Sequence, residues 1–243
     1  MERRNWTRDE LVAVLALYYQ MPFGRMHHRA PEVQAMSERV GRTPSAVAYK
    51  LVNFASFDPA LQSHGVKGLQ NASKLDRQVW DEFHGQWDRL ASFEENLFNQ
   101  EDLDQPNKTV REATVQIRNG QSFFRRAVLS AYGEQCCITR IGSSQLLRAS
   151  HIVPWAHDES QRLNPSNGIA LNALHDAAFD RGLITLDDDL RVVVSSDVRQ
   201  TMPEQTYNSY FARYEGKAIH IPERFEPDRK ALAYHQQYVY KRS

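Results

Sequence analysis

Cysteine is scarce in this chain of 243 residues, which has only Cys136 and Cys137. Adjacent cysteines are poorly placed to form an ordinary disulfide with each other, and no CxxC pair offers thiolates for a structural zinc. Long apolar runs are missing too, because no segment approaches the roughly 18 apolar residues of a membrane-spanning helix. The first ten residues, MERRNWTRDE, lack the apolar core of a secretory signal. We therefore expect a cytoplasmic protein with no membrane partner.

Net charge is absent as well, because 30 lysine and arginine residues balance 30 acidic residues. The charges are nevertheless segregated along the chain. Residues 1–56 carry eight Lys/Arg against five acids (net +3), residues 81–104 one against eight (net −7), and residues 108–148 seven against two (net +5). Two basic blocks around an acidic one predict two anion-facing surfaces and a solvated connector. The alternative is that these charges only solvate helix faces.

Three short helices are predicted in the first quarter of the chain. The first begins after Thr7, where Glu10 three residues later completes a capping box. The second ends at Gly41, and the third begins at Thr43-Pro44, with proline in the first turn. A tight glycine-containing turn before the last helix is typical of a helix-turn-helix unit.

The last helix of such a unit meets DNA. One face of the predicted helix carries Ser45, Tyr49, Lys50 and Asn53, which we expect to reach phosphates or base edges. The alternative is a three-helix module that is structural or binds a protein partner.

An apolar stripe with helical spacing follows in residues 73–98. Its members are Leu75, Val79, Trp80, Phe83, Trp87, Leu90, Phe93 and Leu97. We expect this stripe to pack on the preceding helices or on a second copy of the chain, which would make a homodimer. The polar, proline-bearing residues after it predict a linker over 99–111. The predicted domains are therefore 1–98 and 112–243.

The second half of the chain changes in character. RNGQ (118–121) predicts a turn, with Ser122 as the N-cap of the helix that follows. CCITR (136–140) and LLRASHIVPW (146–155) predict short strands around a turn. The stretch from 146 to 186 then reads as strand, long loop, strand and helix.

This ββα pattern predicts that three polar residues meet at one point. His151 ends the first strand, Asn167 begins the second, and His175 lies on the helix that packs back across both. Either these are three ordinary polar residues of a compact hairpin, or they surround one reaction centre.

The segments ASHIVPW, NGIAL and HDAAFDRGLI resemble the HNH nuclease family, whose ββα-metal motif carries His, Asn and His or Asn in this order. They are similar to the branch common in bacterial restriction-type endonucleases, as is the preceding RNGQSFFRRAVLSAYGEQCCIT. The resemblance covers roughly residues 115–240. It implies a C-terminal ββα-metal HNH nuclease domain. Together with the all-α, helix-turn-helix-like domain that the N-terminal pattern predicts, this gives an α+β protein.

The resemblance also implies roles for the three polar residues. His151 would be the general base, Asn167 would fix the loop, and His175 would bind a metal. Many HNH nucleases have an acidic ligand directly before the base, whereas this chain has Ser150. Asp180 is then the candidate for the missing carboxylate, because Mg²⁺ prefers oxygen ligands. Mg²⁺ is the expected cofactor, with Mn²⁺ as an alternative and Zn²⁺ or Ni²⁺ left open.

Several residues of the second basic block are candidates for contacts with phosphates of double-stranded DNA. They are Arg118, Gln121, Arg125, Arg126, Arg140 and Arg148. Trp155 and Phe179 are expected in the core, and His157 is either an ordinary loop histidine or a neighbour of the metal. His235 matches a histidine found late in this branch, without a physical role that the sequence suggests.

The sequence therefore predicts a metal-dependent DNA endonuclease, of restriction type or from a phage-defence system. The alternative is a DNA-binding regulator whose HNH-like domain is not catalytic. No glycine-rich phosphate loop and no Ser-His-Asp order supports an ATPase or a serine hydrolase.

Overall fold

The computed structural model describes residues 4–63, 65, 72–98 and 108–241, and their side chains except those of 94–98, 108–117 and 119. The chain divides into two compact units, Met1–Ser130 and Ala131–Ser243. Among the described helices, none combines the length and hydrophobicity needed to span a lipid bilayer.

Unit 1 is helical throughout its described part. Its helices are α1 (Arg8–Tyr19), α2 (Pro31–Arg39), α3 (Pro44–Ala55), α4 (Pro59–Ser63), α5 (Lys74–Phe83), α6 (Trp87–Phe98) and α7 (Lys108–Ala131), which ends where unit 2 begins. The central helix α1 is buried on almost all sides and packs on α2, α3, α5 and α6.

The predicted starts of α1 and α3 are confirmed. The hydroxyl of Thr7 accepts from the main-chain N–H of Glu10, and the Glu10 carboxylate accepts from the N–H of Thr7. The hydroxyl of Thr43 caps α3 by accepting from the N–H of Ala46, and Pro44 lies in its first turn. Gly41 has a φ of +60°, which lets the chain turn sharply between α2 and α3. The helix-turn-helix interpretation of this pair stays a prediction.

Two of the four side chains predicted to meet DNA are inside unit 1. Lys50 and Asn53 are 8% and 0% exposed. The Lys50 ammonium lies 2.7 Å from a carboxylate oxygen of Asp76, and the Asn53 amide donates to the other oxygen at 2.9 Å. This network joins α3 to α5, because a buried charge needs a partner. It corrects the prediction for Lys50 and Asn53 and leaves Ser45 and Tyr49 as the exposed members of the set.

The predicted single stripe over 73–98 is divided between two helices. Gly85, with a φ of +78°, lies in the turn that separates α5 from α6. Trp80 is 4% exposed and packs on Tyr18 with ring centroids 5.9 Å apart, and Leu90 is 0% exposed. These two side chains lie in the core of unit 1, whereas Leu75, Trp87 and Phe93 are half-buried, and the homodimer stays a prediction. Leu97 lies outside the described side chains.

The RNGQ segment is not a turn but part of the long helix α7. A glycine inside a helix costs only about 1 kcal/mol, and the buried face formed by Phe123, Phe124 and Ala127 continues beyond it. Ser122 is therefore not an N-cap, and its hydroxyl accepts from Arg126. The predicted linker 99–111 lies outside the described residues up to 107, and 108–111 begin α7.

Unit 2 contains the predicted ββα arrangement. Its elements are β1 (Leu147–His151), β2 (Gly168–Asn172), α8 (Ala173–Asp180), β3 (Ile184–Leu186), β4 (Val192–Val194), α9 (Ser196–Thr201), α10 (Glu204–Tyr207) and α11 (Arg229–Tyr234). β1 pairs antiparallel with β2, so that His151 lies opposite Gly168. β3 and β4 form a second antiparallel pair, and α8 packs on β1, β2 and β3.

The predicted strand over 136–140 is a turn instead. The N–H of Arg140 donates to the carbonyl of Cys136 at 2.9 Å, and Arg140 has a φ of +64°. The N–H of Cys137 donates to Ala170 at 2.8 Å, so one bond ties this turn to β2. Apolar residues close to each other fit a buried turn as well as a strand, which explains the error.

The C-terminal segment is locked against α8. His235, 1% exposed, donates from Nε2 to the carbonyl of Phe179 at 3.1 Å and stacks on that ring with centroids 3.8 Å apart. Its Nδ1 lies 2.9 Å from the hydroxyl of Thr185 on β3. Gly182 is required here, because a Cβ would lie 1.9 Å from the carbonyl oxygen of Val239. His235 therefore has a structural role.

Candidate functional site

His151 lies at the end of β1 and is half-buried. Its Nε2 is 3.0 Å from the carbonyl oxygen of Arg162. Because a carbonyl oxygen only accepts hydrogen bonds, Nε2 carries the proton and Nδ1 is the basic nitrogen. The imidazole also makes a T-shaped contact with Trp155, with ring centroids 5.5 Å apart. The ring is thus held in one tautomer and one orientation.

The surroundings of His151 also set its charge. Burial lowers the pKa of His151 below its usual 6.5, and the hydrogen bond to the Arg162 carbonyl offsets part of that effect. The imidazole is therefore neutral at pH 7. A neutral imidazole beside solvent is the form that a general base requires.

Asn167 spans the loop that follows His151. Its amide nitrogen donates to the carbonyls of Val153 and Gln161, both at 3.2 Å. Its amide oxygen accepts from the N–H of Val153 at 2.8 Å, and its main-chain carbonyl accepts from Ile152 at 2.9 Å. The side chain is almost entirely buried. These bonds are of the kind that the predicted loop-fixing role requires.

His175 is placed differently from the expectation for a metal ligand. The amide oxygen of Asn172 accepts from the N–H groups of Leu174 and His175, so the amide nitrogen faces Nδ1 of His175 at 2.8 Å. Nε2 of His175 donates to the carbonyl of Tyr210 at 2.9 Å. Both ring nitrogens are engaged and the side chain is 2% exposed. These contacts tie α8 to the π-helical segment Asn208–Ala212, and the metal-ligand role of His175 stays a prediction.

Ser150 and Asp180 are brought together as the prediction requires. The Ser150 hydroxyl lies 3.4 Å from one carboxylate oxygen of Asp180. Asp176 lies one helical turn before Asp180, so the two carboxylates share a face of α8. Partial burial raises the pKa of Asp180 above its usual value, and repulsion from Asp176 raises it further. In the described parts of the chain, neither carboxylate has an ion-pair partner.

These oxygen atoms fit a hard divalent cation. Mg²⁺ is usually held by one or two carboxylates, with water and substrate phosphate oxygens at its other positions. A bound cation would also relieve the repulsion between Asp176 and Asp180. Across the described residues, no group of three or more His, Cys, Asp or Glu is arranged to hold a metal. The candidate set is therefore two carboxylates and the Ser150 hydroxyl.

The remaining histidine of the loop is exposed. Nδ1 of His157 lies 3.0 Å from the hydroxyl of Tyr234 on α11. The structure thus pairs His157 with a tyrosine and shows no contact between it and the two carboxylates. Trp155, expected in the core, is only half-buried, whereas Phe179 is buried as expected.

The predicted phosphate contacts are divided between the units. In unit 2, Arg140 and Arg148 are exposed. On α7 in unit 1, Arg118 and Gln121 are exposed and Arg125 is half-buried. Their contact with DNA stays a prediction.

A two-stranded hairpin, a helix packed across it, and a histidine of fixed tautomer at the end of the first strand form the core of unit 2. Residues 136–187 match the family model described as HNH endonuclease. The matched HNH segment contains β1, β2, α8 and β3, and it supports nuclease activity for unit 2. No curated protein matches the chain.

The sequence analysis does not include two groups of this candidate site, the Asp176 carboxylate and the Arg162 carbonyl. Asp176 has a usable signal, because HDAAFD places a carboxylate exactly one helical turn before Asp180. The Arg162 carbonyl has no sequence signal, because every residue carries a main-chain carbonyl. Only the path of the β1–β2 loop brings this carbonyl to His151.

The buried His235 predicts a loss of stability in acid. Its pKa is lowered from 6.5 to about 4, first by burial. The unfolded chain therefore binds a proton between pH 6.5 and 4 that the folded chain excludes, so stability is present above 6.5 and is lost as pH falls toward 4. We expect this residue to contribute roughly 3 kcal/mol of that loss. Urea unfolding of wild type and His235→Gln at pH 7.5 and 4.5 measures it.

The matched control is Gln236→Ala, which removes a hydrogen bond to the Leu186 carbonyl but no titrating group. It should destabilise equally at both pH values. His235→Gln should lose more stability at pH 7.5 than at pH 4.5. An equal loss at both would show that His235 is not excluded from protonation.

Proposed function

We propose that the chain is a divalent-cation-dependent endonuclease that hydrolyses phosphodiester bonds of double-stranded DNA. The observation that carries the proposal is the bond from His151 Nε2 to the Arg162 carbonyl, which leaves Nδ1 as the basic nitrogen of a neutral ring. The match of residues 136–187 to HNH endonuclease supports the same chemistry.

In this reaction His151 takes the proton of a water molecule while the water oxygen attacks phosphorus. Asn167 keeps the segment after His151 in place. Asp176, Asp180 and Ser150 would hold the cation. When bound, the cation supplies charge stabilisation for the pentavalent phosphorus and for the departing 3′ oxygen. The oxygen donor set favours Mg²⁺ or Mn²⁺ over Zn²⁺ or Ni²⁺, which take nitrogen and sulfur ligands more readily.

Three finer proposals follow from the sequence rather than from the site: the first from the resemblance, the second from composition, and the third from the helix pattern and charge of unit 1. The enzyme acts in a restriction-type or phage-defence system in the cytoplasm, and unit 1 recruits or orients the DNA. Ser45 and Tyr49 are the exposed candidates for that contact on α3. Much of the positive charge of unit 1 is paired within it, as in Arg42 with Glu10 at 2.6 Å, which weakens the case for a broad phosphate surface. The proposal of a homodimer rests on the reaction alone, because one site cleaves one strand at a time and two copies of the chain would supply two sites.

Removal of the base tests the proposed activity. His151→Ala should slow the nicking of supercoiled plasmid in Mg²⁺ or Mn²⁺ by roughly 10²- to 10⁴-fold, the usual contribution of a general base. Wild type should lose activity in EDTA. His220→Ala, which removes an exposed histidine of unit 2, is the matched control and should nick at the wild-type rate.

Nicking by folded His151→Ala at the wild-type rate would refute the assignment. Wild-type protein that binds duplex DNA but never nicks it would favour the alternative, a DNA-binding regulator with a non-catalytic HNH-like domain.

Metal binding is tested without activity. Asp176→Asn and Asp180→Asn should each weaken Mn²⁺ binding, measured by electron paramagnetic resonance, by at least about tenfold, because even groups that only orient ligands contribute 10- to 100-fold. Asp189→Asn, at an exposed carboxylate of the β3–β4 turn, is the control. His175→Gln should lower the melting temperature and leave Mn²⁺ affinity unchanged. If Mn²⁺ binding is weaker only in His175→Gln, then the imidazole of His175, and not the two carboxylates, is the metal ligand.

A further inference from the structure

The carbonyl that orients His151 belongs to a residue far along the loop. Arg162 lies 11 positions after His151, and the hydrogen bond between them spans most of the β1–β2 connection. A loop carbonyl can orient an imidazole only if the loop itself is held. Otherwise both tautomers of His151 are populated, and in one of them Nδ1 carries the proton and cannot act as the base.

The side chain of Arg162 supplies one such constraint. Its Nε donates to the carbonyl of Trp155 at 2.9 Å. Its guanidinium carbon lies 5.2 Å from the centre of the Trp155 ring, in cation–π contact. The same indole contacts the His151 imidazole. Three residues therefore close a ring of contacts: His151 to the Arg162 carbonyl, Arg162 to Trp155, and Trp155 back to His151.

The neighbouring peptides are held as well. The carbonyl of Gln161 accepts from Asn167, and the side chain of Leu163 is 8% exposed. Arg162 also pairs with Glu159 at 3.1 Å, but the Glu159 side chain is 84% exposed. An exposed pair of this kind contributes little. Of the contacts that the Arg162 side chain makes, those with Trp155 therefore constrain the position of the Arg162 carbonyl.

We propose that Arg162 is a positioning residue for the general base. Its carbonyl fixes the proton on Nε2 of His151, and its side chain fixes that carbonyl by clamping onto Trp155. The inference rests on the proposed function, because it concerns the base of the same site. It adds a residue that acts through His151.

Nuclear magnetic resonance tests the clamp without cleavage. In wild type, two-bond ¹⁵N correlations should show the His151 proton on Nε2, with the signal assigned by its loss in His151→Gln. In Arg162→Ala both tautomers should appear. Arg191→Ala is the matched control, because it removes another arginine-to-carbonyl bond in unit 2, to Gly216.

Cleavage kinetics separate positioning from DNA binding. Arg162→Ala should lower kcat by roughly 10- to 100-fold, the effect of a misplaced catalytic group, with KM little changed. Arg162→Lys keeps a cation near the indole but loses the Nε donor, so it should fall between wild type and alanine. Glu159→Gln should stay within about twofold of wild type. If Arg162→Ala does not fold, the tautomer and kcat of Arg162→Lys test the proposal instead.

Three results would overturn the proposal. The first is a single Nε2 tautomer retained in both Arg162 variants. The second is a raised KM with unchanged kcat, which would make Arg162 a DNA contact. The third is the same loss in Arg191→Ala. If wild type does not cleave at all, the proposed function fails, while the tautomer measurement still tests the clamp.

Discussion

Unit 2 depends on one kind of interaction, the hydrogen bond from Nε2–H of a neutral imidazole to a main-chain carbonyl. His175 donates to Tyr210, His235 to Phe179 and His151 to Arg162. In each case burial lowers the histidine pKa, so the ring stays uncharged near pH 7. The first two bonds fasten α8 to segments that are distant in sequence, and the third orients the proposed base. Their difference in exposure separates their roles, because His151 is half-buried and the other two are closed to solvent.

The fastening of α8 in turn places the two carboxylates. Asp176 and Asp180 share a helix face beside Ser150 because His175, on the neighbouring face, is turned into the core. A helix cannot present adjacent positions 175 and 176 to the same point. The imidazole therefore contacts protein groups, and the proposed oxygen ligands lie on the neighbouring face of α8. This division favours a hard cation at a site where a sequence motif alone suggests a histidine ligand.

The sequence predicts the parts of this arrangement that depend on local pattern. The capping box at Thr7, the β1–β2–α8 order and the position of His151 at a strand end follow from spacing and periodicity. The errors arise where a distant contact decides. The helix pattern places Lys50 on the surface, whereas in the fold its ammonium is buried against the carboxylate of Asp76, 26 residues away. The motif gives no sign that Nε2 of His175 donates to the Tyr210 carbonyl, 35 residues away.

The pH dependence of kcat/KM for plasmid nicking, at saturating Mn²⁺, tests the central claim most directly. A neutral base whose pKa is lowered by burial gives a kcat/KM that rises with pH along a limb whose midpoint lies below pH 6.5, the ordinary pKa of histidine. The account predicts that acidic limb, and predicts its loss from the residual activity of His151→Ala. A limb centred above pH 6.5, or one that persists unchanged in His151→Ala, would contradict it.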